Sequence, residues 1–236
     1  MGAVLCIDGP SGAGKGTVSQ LVAKRLGFKY LDSGALYRVL AVLANDKGLG
    51  LEEIDKLLAL ARSVDVEFIE DQVFYAGEDI SSRIRTEEVG SLASKLAPHQ
   101  EIREALLEAQ RSYSSDTGLV ADGRDMGTTV FPQAALKIYL NASAEERARR
   151  RFFQLRENDH NSNPENSAKQ LMDKEDSDSL RALVEEIKKR DERDSTRDTS
   201  PLKPADDAIL IDSTSMTIEQ VVAEVLKHWH QSIQLG

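Results

Sequence analysis

The sequence predicts a three-layer α/β fold with three parts: a parallel sheet core, an inserted antiparallel lobe and a polar segment that reads as a lid. Three observations predict it. Short apolar strands alternate with amphipathic helices along most of the 236 residues, and a glycine-rich loop joins the first strand to the first helix. One stretch then switches to the period-two alternation of a strand wet on one side.

Val4 to Asp8 reads as a buried strand running into the glycine loop at Gly9. The helix that follows sets Val18, Leu21, Val22 and Leu26 on one face, with Gly27 as its stop. Phe28 to Leu31 is the next strand, ending at Asp32-Ser33-Gly34. Two helices come next, one carrying Leu36, Val39, Leu40 and Leu43 and the other Leu51, Ile54, Leu57, Leu58 and Ala61. Val64, Val66 and Phe68 then alternate with Asp65 and Glu67, and Val73 to Tyr75 supplies a return strand after a turn at Glu70-Asp71. A half-exposed hairpin does not belong inside a buried parallel sheet, so residues 62–85 are expected to form an inserted lobe. The core then spans 1–61 and 86–236.

Helices are expected at 86–97 and 99–114, broken at Pro98, followed by strands Leu119 to Asp122 and Leu136 to Leu140. Ser143 with Glu146 has the spacing of a capping box and opens a helix to about Arg156. Residues 157–179 are rich in Asn, Asp and Ser and lack apolar periodicity, which fits either a plain loop or a mobile lid. A charged helix from Leu180 to about Asp198, a strand at Ala208 to Ile211 and a helix capped by Thr217 and Gln220 complete the chain.

Hydrophobic residues make up 40% of the chain and charged residues 30%, the balance of a packed globular protein. No run approaches the roughly twenty apolar residues of a membrane span, so no membrane association and a cytoplasmic setting are expected. The net charge of −10 repels nucleic acid polymers on average and makes local arginine clusters informative. Cys6 is the single cysteine, which leaves no internal disulfide, and the four histidines form no ligand set. No long exposed apolar stripe stands out, and a monomer is expected.

Gly9, Pro10, Ser11, Gly12, Ala13, Gly14 and Lys15 match G-x-x-x-x-G-K between a strand and a helix. Glycines let the backbone aim successive N–H groups at phosphate oxygens, and the helix N-terminus adds a favourable dipole. Lys15 would bridge the β- and γ-phosphates of bound ATP. The residue after it is Gly16, so the hydroxyl arrives one place late at Thr17, and Mg2+ would be held mainly by phosphates and water. Switch GTPases use the same loop, but no asparagine is followed by lysine and no aspartate has a glycine three residues on, which excludes their signatures. Arg190, Arg193 and Arg197 share one face of a helix, as do Arg147, Arg150 and Arg151 on an earlier one. Such rows are either solvated faces tied by ion pairs, such as Glu186 with Arg190, or an anion site.

Four segments together resemble the bacterial cytidylate kinases: Ile7 to Thr17, Leu31 to Arg38, Ala121 to Gly127 and Lys189 to Arg197. The resemblance spans nearly the whole chain and implies transfer of the γ-phosphoryl group of ATP to CMP or dCMP, with the inserted lobe binding the nucleoside monophosphate. It implies that Ser33, Arg38, Arg124 and Arg197 hold the acceptor phosphate, that Arg190 and Asp194 meet the ribose, and that Ser94, Arg103 and Asp125 read the cytosine edge. Lys15, Arg124, Arg190 and Arg197 would carry catalysis, and Arg150 and Arg151 would join the donor loop. Tyr37 is placed with the acceptor set, packing being its alternative. Asp122, with Thr17, is placed to orient magnesium-bound water, the alternative being a cap on the next turn. Ser94 has the alternative of a helix-surface hydroxyl, and Arg103 that of pairing with Glu104. Kinases of UMP, AMP or shikimate share the donor loop, and a non-enzymatic nucleotide-binding module is the rival of a different class.

Overall fold

In the computed structural model the described residues are 2–69, 72–159 and 174–234. Five parallel strands form the main sheet: β1 (Val4–Asp8), β2 (Lys29–Asp32), β6 (Leu119–Gly123), β7 (Leu136–Asn141) and β8 (Ile209–Asp212), in the spatial order β2-β6-β1-β7-β8. Strand alternation splits the core into two layers. Cys6, Leu31, Leu119 and Ala121 pack with α2 (Ser33–Asp46), α3 (Ile54–Arg62), α5 (Glu87–Leu96) and α6 (Gln100–Ser112). Leu5, Ile7, Val120, Ile138 and Leu140 face the other way, onto α1 (Lys15–Leu26) and α9 (Ile218–Gln234). Both faces are thus covered, as a parallel sheet requires.

Register decides where the site forms. Asp8 lies opposite Gly123 and Tyr139, and Asp32 opposite Asp122, so these residues share one edge, the carboxyl ends of the strands.

The hairpin of β3 (Val66–Ile69) and β4 (Gln72–Tyr75) forms as expected, and its turn at 70–71 lies outside the described residues. A third strand, β5 (Glu78–Asp79), extends the small sheet, and a single turn, α4 (Ser81–Ile84), leads back to the core. Phe68 packs edge-on to Tyr30 at 5.8 Å and tilted to Tyr113 at 5.6 Å, which seats the hairpin on the core. A π-helical turn, Met126–Val130, follows β6 in the stretch between the two expected strands.

Side-chain caps set several helix starts. Asp32 accepts from the Ala35 amide at 3.0 Å, and Thr217 and Gln220 form the expected reciprocal box. At Ser143 only half of the expected box forms. Its hydroxyl accepts from the Glu146 amide at 3.1 Å, but the Glu146 carboxylate is taken by Arg149 and Arg150.

The polar stretch 157–179 is helical at both described ends. α7 (Ala144–Asp159) runs into it and α8 (Lys174–Thr196) begins inside it, joined by Arg156 Nη1 to Asp176 at 2.9 Å. Ion pairs along and between these helices take the place of the missing apolar stripe. The rest of the expected lid, 160–173, lies outside the described residues. Among the described residues, no helix is long and apolar enough to cross a membrane.

Candidate active site

The donor side begins where β1 ends. Gly9 takes φ 151°, and a Cβ there would stand 2.0 Å from the Leu140 carbonyl oxygen, so only glycine allows the chain to turn against β7. Gly12 and Gly14 take φ 79° and 90°, left-handed conformations that turn the loop into the first turn of α1. The buried Lys15 donates to the Pro10 carbonyl at 2.9 Å, folding its side chain back over the loop. Burial first, then the charge of Arg124, lowers Lys15 to about 8, while Asp122, Asp32 and Asp8 pull the other way.

Arg147 and Arg150 brace this loop from α7. Arg147 donates to the Ser11 carbonyl at 3.1 Å and pairs with Asp191 of α8 through both Nη atoms, at 3.0 and 2.5 Å. Arg150 donates to the Ala13 carbonyl at 3.4 Å and to the Ser213 carbonyl at 2.7 Å. Arg151 points elsewhere: it pairs with Glu87, at the start of α5, and with Gln154. Thr17 is exposed on α1, next to Gly16.

Asp122 is buried at the end of β6 and accepts from the Tyr30 hydroxyl at 2.6 Å. Burial, and after it the charge of Asp32, pushes its carboxyl up to about 7. A Cβ on Gly16 would stand 3.6 Å from the Tyr30 hydroxyl and 3.8 Å from Asp122, ordinary contact distances that place this carboxylate beside the donor loop. No group of three His, Cys, Asp or Glu side chains among the described residues could cage a metal. One carboxylate and one hydroxyl suit an ion bound chiefly through phosphate oxygens and water, as Mg2+ commonly is.

The acceptor-side residues come from four helices and the stretch that follows β6. Arg103 of α6 pairs with Asp125, both side chains under a tenth exposed, and its guanidinium lies 5.8 Å above the Tyr37 ring. Arg124 Nε donates to Asp194 Oδ2 of α8 at 2.5 Å. Burial pushes Asp194 upward, yet the charge and hydrogen bond of Arg124, with Arg190 and Arg197 behind it, leave its carboxyl below the usual range. Arg38 Nη1 donates to the Ile84 carbonyl at 2.8 Å and lies against Gly90. Ser33 donates to Gln110 at 2.8 Å. Ser94 is half-buried on α5.

The guanidinium groups act on one another. Arg190 falls to about 10, through burial first and the charge of Arg124 next, with Arg38 adding to it. Among the described residues, four buried side-chain atoms have no hydrogen-bond partner, and three belong to this group: Tyr37 Oη, Arg190 Nε and Arg197 Nη2. Buried polar atoms are nearly always paired, so three unpaired ones beside a cluster of like charges mark a site built for an anion with several acceptors.

The structure therefore brings together Lys15, Arg124, Arg190, Arg197, Asp194, Arg103, Asp125 and Tyr37. Arg103 takes Asp125 as its partner instead of Glu104. Arg151 is the expected donor residue that turns away from the loop. Sequence reasoning missed Tyr30 and Gln110, which hold Asp122 and Ser33. The only available sign was that Tyr30 and Asp32 alternate onto one face of a strand.

Comparisons with known proteins agree in direction. A family model described as cytidylate kinase matches residues 5–182 and 164–231. The chain is 52% identical over 229 residues to the cytidylate kinase of Vibrio cholerae, covering 95% of each chain. It is 52% identical over 231 residues to that of Pseudomonas aeruginosa, covering 95% of this chain and 94% of the relative. Against the Aeromonas salmonicida cytidylate kinase it is 50% identical over 240 residues, covering 100% of this chain and 96% of the relative.

Proposed function

The chain belongs to the cytidylate kinase family, and from that premise we propose that it transfers the γ-phosphoryl group of ATP to CMP or dCMP, giving ADP and CDP or dCDP. The observation that carries the reading at this site is the set of unpaired buried atoms of Tyr37, Arg190 and Arg197 beside Arg124. A nucleoside monophosphate presents the clustered acceptors that this set lacks.

The chemistry asks little of a general base. The acceptor phosphate is largely ionised at neutral pH, its second pKa being about 6, so it attacks without giving up a proton to the protein. The barrier comes from bringing two polyanions together and from charge on the transferring group. Loop N–H groups from Ser11 to Thr17 and the ammonium of Lys15 would hold the donor phosphates, with Arg150 tying the loop to α7. Arg38, Arg124, Arg197 and Ser33 would hold the acceptor phosphate, with Arg190 and Asp194 toward the ribose. Arginines suit this work because they stay charged and bind phosphate through two parallel hydrogen bonds. Mg2+, reached through Asp122 and Thr17 by way of water, would neutralise charge on the donor phosphates.

Arg103 and Asp125, with Ser94, would read the base. Cytosine offers an amino donor at N4 beside acceptors at N3 and O2. A carboxylate facing the amine and a guanidinium facing the acceptors selects it, whereas uracil would oppose a carbonyl to the carboxylate. Residues 62–85 would serve as the acceptor lobe and 157–179 as the lid of a monomeric enzyme.

ADP release followed with and without acceptor tests this. Wild-type protein should release ADP only when CMP or dCMP is present. Arg197→Met, which keeps a stem but removes the guanidinium, should lower kcat/KM for CMP by about 10²–10³. An unchanged kcat/KM in that variant removes Arg197 from the phosphate site.

A further inference from the structure

Asp8 is a buried carboxylate that the scheme above does not use. It ends β1 and directly precedes Gly9, the first residue of the donor loop. Its side chain points across the strand ends to the π-helical turn after β6. One oxygen accepts from the Met126 amide at 2.8 Å and the other from the Gly127 amide, also at 2.8 Å.

Those two amides lie at the start of the turn, where N–H groups have no partner within the helix. The turn supplies only the later bonds: Thr129 and Val130 donate to the Asp125 carbonyl at 2.9 and 3.2 Å, and Phe131 to Met126 at 2.7 Å. Asp8 is therefore a cap delivered from a neighbouring strand, with one carboxylate oxygen for each free amide. The capped residues directly follow Arg124 and Asp125, whose side chains reach Asp194 and Arg103. The turn is packed closely at Gly127 as well. A Cβ on Gly127 would meet Lys137 Cδ at 3.0 Å and Asp8 Oδ2 at 3.4 Å, so the turn is clamped between β1 and β7.

Resting on the function proposed above, we infer that Asp8 is a positioning residue for acceptor recognition: by capping the Met126–Val130 turn it fixes Arg124 and Asp125 in register with the phosphate loop that begins at the next residue. One carboxylate thus ties the two halves of the site to each other. An acceptor displaced by a fraction of an ångström from the donor phosphate loses much of the benefit of alignment, which gives such a tie its value.

Asp8→Asn tests the inference, because an amide of the same shape can accept from one N–H but opposes its own NH2 to the other. The KM for CMP is expected to rise about tenfold with the KM for ATP changed less than twofold, and the preference for CMP over UMP to fall. Hydrogen exchange of the unliganded protein should show faster exchange at Met126 and Gly127. Gly127→Ala, whose Cβ would crowd Lys137 at 3.0 Å beside the capped amide and leave Asp8 in place, should give the same KM split. It carries the test if Asp8→Asn does not fold. Unchanged exchange at the two amides overturns the capping role. A raised KM for ATP with the KM for CMP unmoved overturns the acceptor role and assigns Asp8 to the donor loop. Wild-type protein that turns over no CMP sinks the function reading instead, and leaves the exchange measurement standing as a test of the cap.

Discussion

Lys15 and Asp125 are the side chains on which the proposed donor and acceptor recognition turns, and each has a distinct signature on removal. Lys15 is buried and brought down to about 8, by that burial first and the charge of Arg124 next, against the pull of Asp122, Asp32 and Asp8. Lys15→Ala should lower kcat/KM by about 10³ or more, with circular dichroism and melting unchanged. A variant retaining activity would refute its role. Asp125→Ala strands Arg103 without its partner, and removing one member of a buried pair costs about 3–5 kcal/mol, which urea titration would detect. Asp125→Asn is the cleaner probe of selectivity, since its amide can turn a donor toward the uracil O4. The preference for CMP over UMP should fall by about tenfold or more, and unchanged selectivity would remove Asp125 from the base pocket. Asp8 has a pH signature. Burial lifts its carboxyl from 3.8 to about 6, against the two backbone hydrogen bonds that lower it. Its folded pKa exceeds the unfolded value, so folding takes up a proton between about pH 4 and pH 6, and stability falls as pH rises through that window. The stability of wild type minus that of Asp8→Asn should therefore drop by up to about 3 kcal/mol across it and level off above. The opposite slope would contradict the burial account.

At the scale of elements, patterns carried by neighbouring residues were legible and those made by distant ones were not. The phosphate loop could be read from its glycine spacing because the backbone path itself demands it. At Gly9 any Cβ would collide with the Leu140 carbonyl, and Gly9→Ala should abolish ATP binding measured by calorimetry while the sheet persists in circular dichroism. The hairpin β3–β4 declared itself by alternation, whereas β5 has two residues, too few for any period. The turn at Met126–Val130 escaped notice because the partner of its first two amides, Asp8, lies more than a hundred positions earlier. The ends of α7 and α8 were missed for a related reason: charged contacts such as Arg156 with Asp176 leave no apolar stripe to read.

For the molecule as a whole, the parallel sheet followed from alternating strands and helices, but the site depends on the order β2-β6-β1-β7-β8. That order sets Asp32, Asp122 and Asp8 along one edge and lets α8 bring Asp194 to Arg124. The four motifs and their resemblance named the arginines; their convergence, and the pairing of Arg103 with Asp125, needed three dimensions. Glu87, at the start of α5, and Arg151, on α7, form an ion pair between two helices far apart in the chain. Closure around both nucleotides would exclude water and so keep ATP hydrolysis low. The most direct test is an acceptor panel at fixed ATP and Mg2+, reading ADP release with CMP, dCMP, UMP, AMP and shikimate in turn. Release with CMP or dCMP at a kcat/KM at least about tenfold above every other acceptor is the predicted result. ATP binding without acceptor-dependent release, or a preference for any other acceptor, would contradict the assignment.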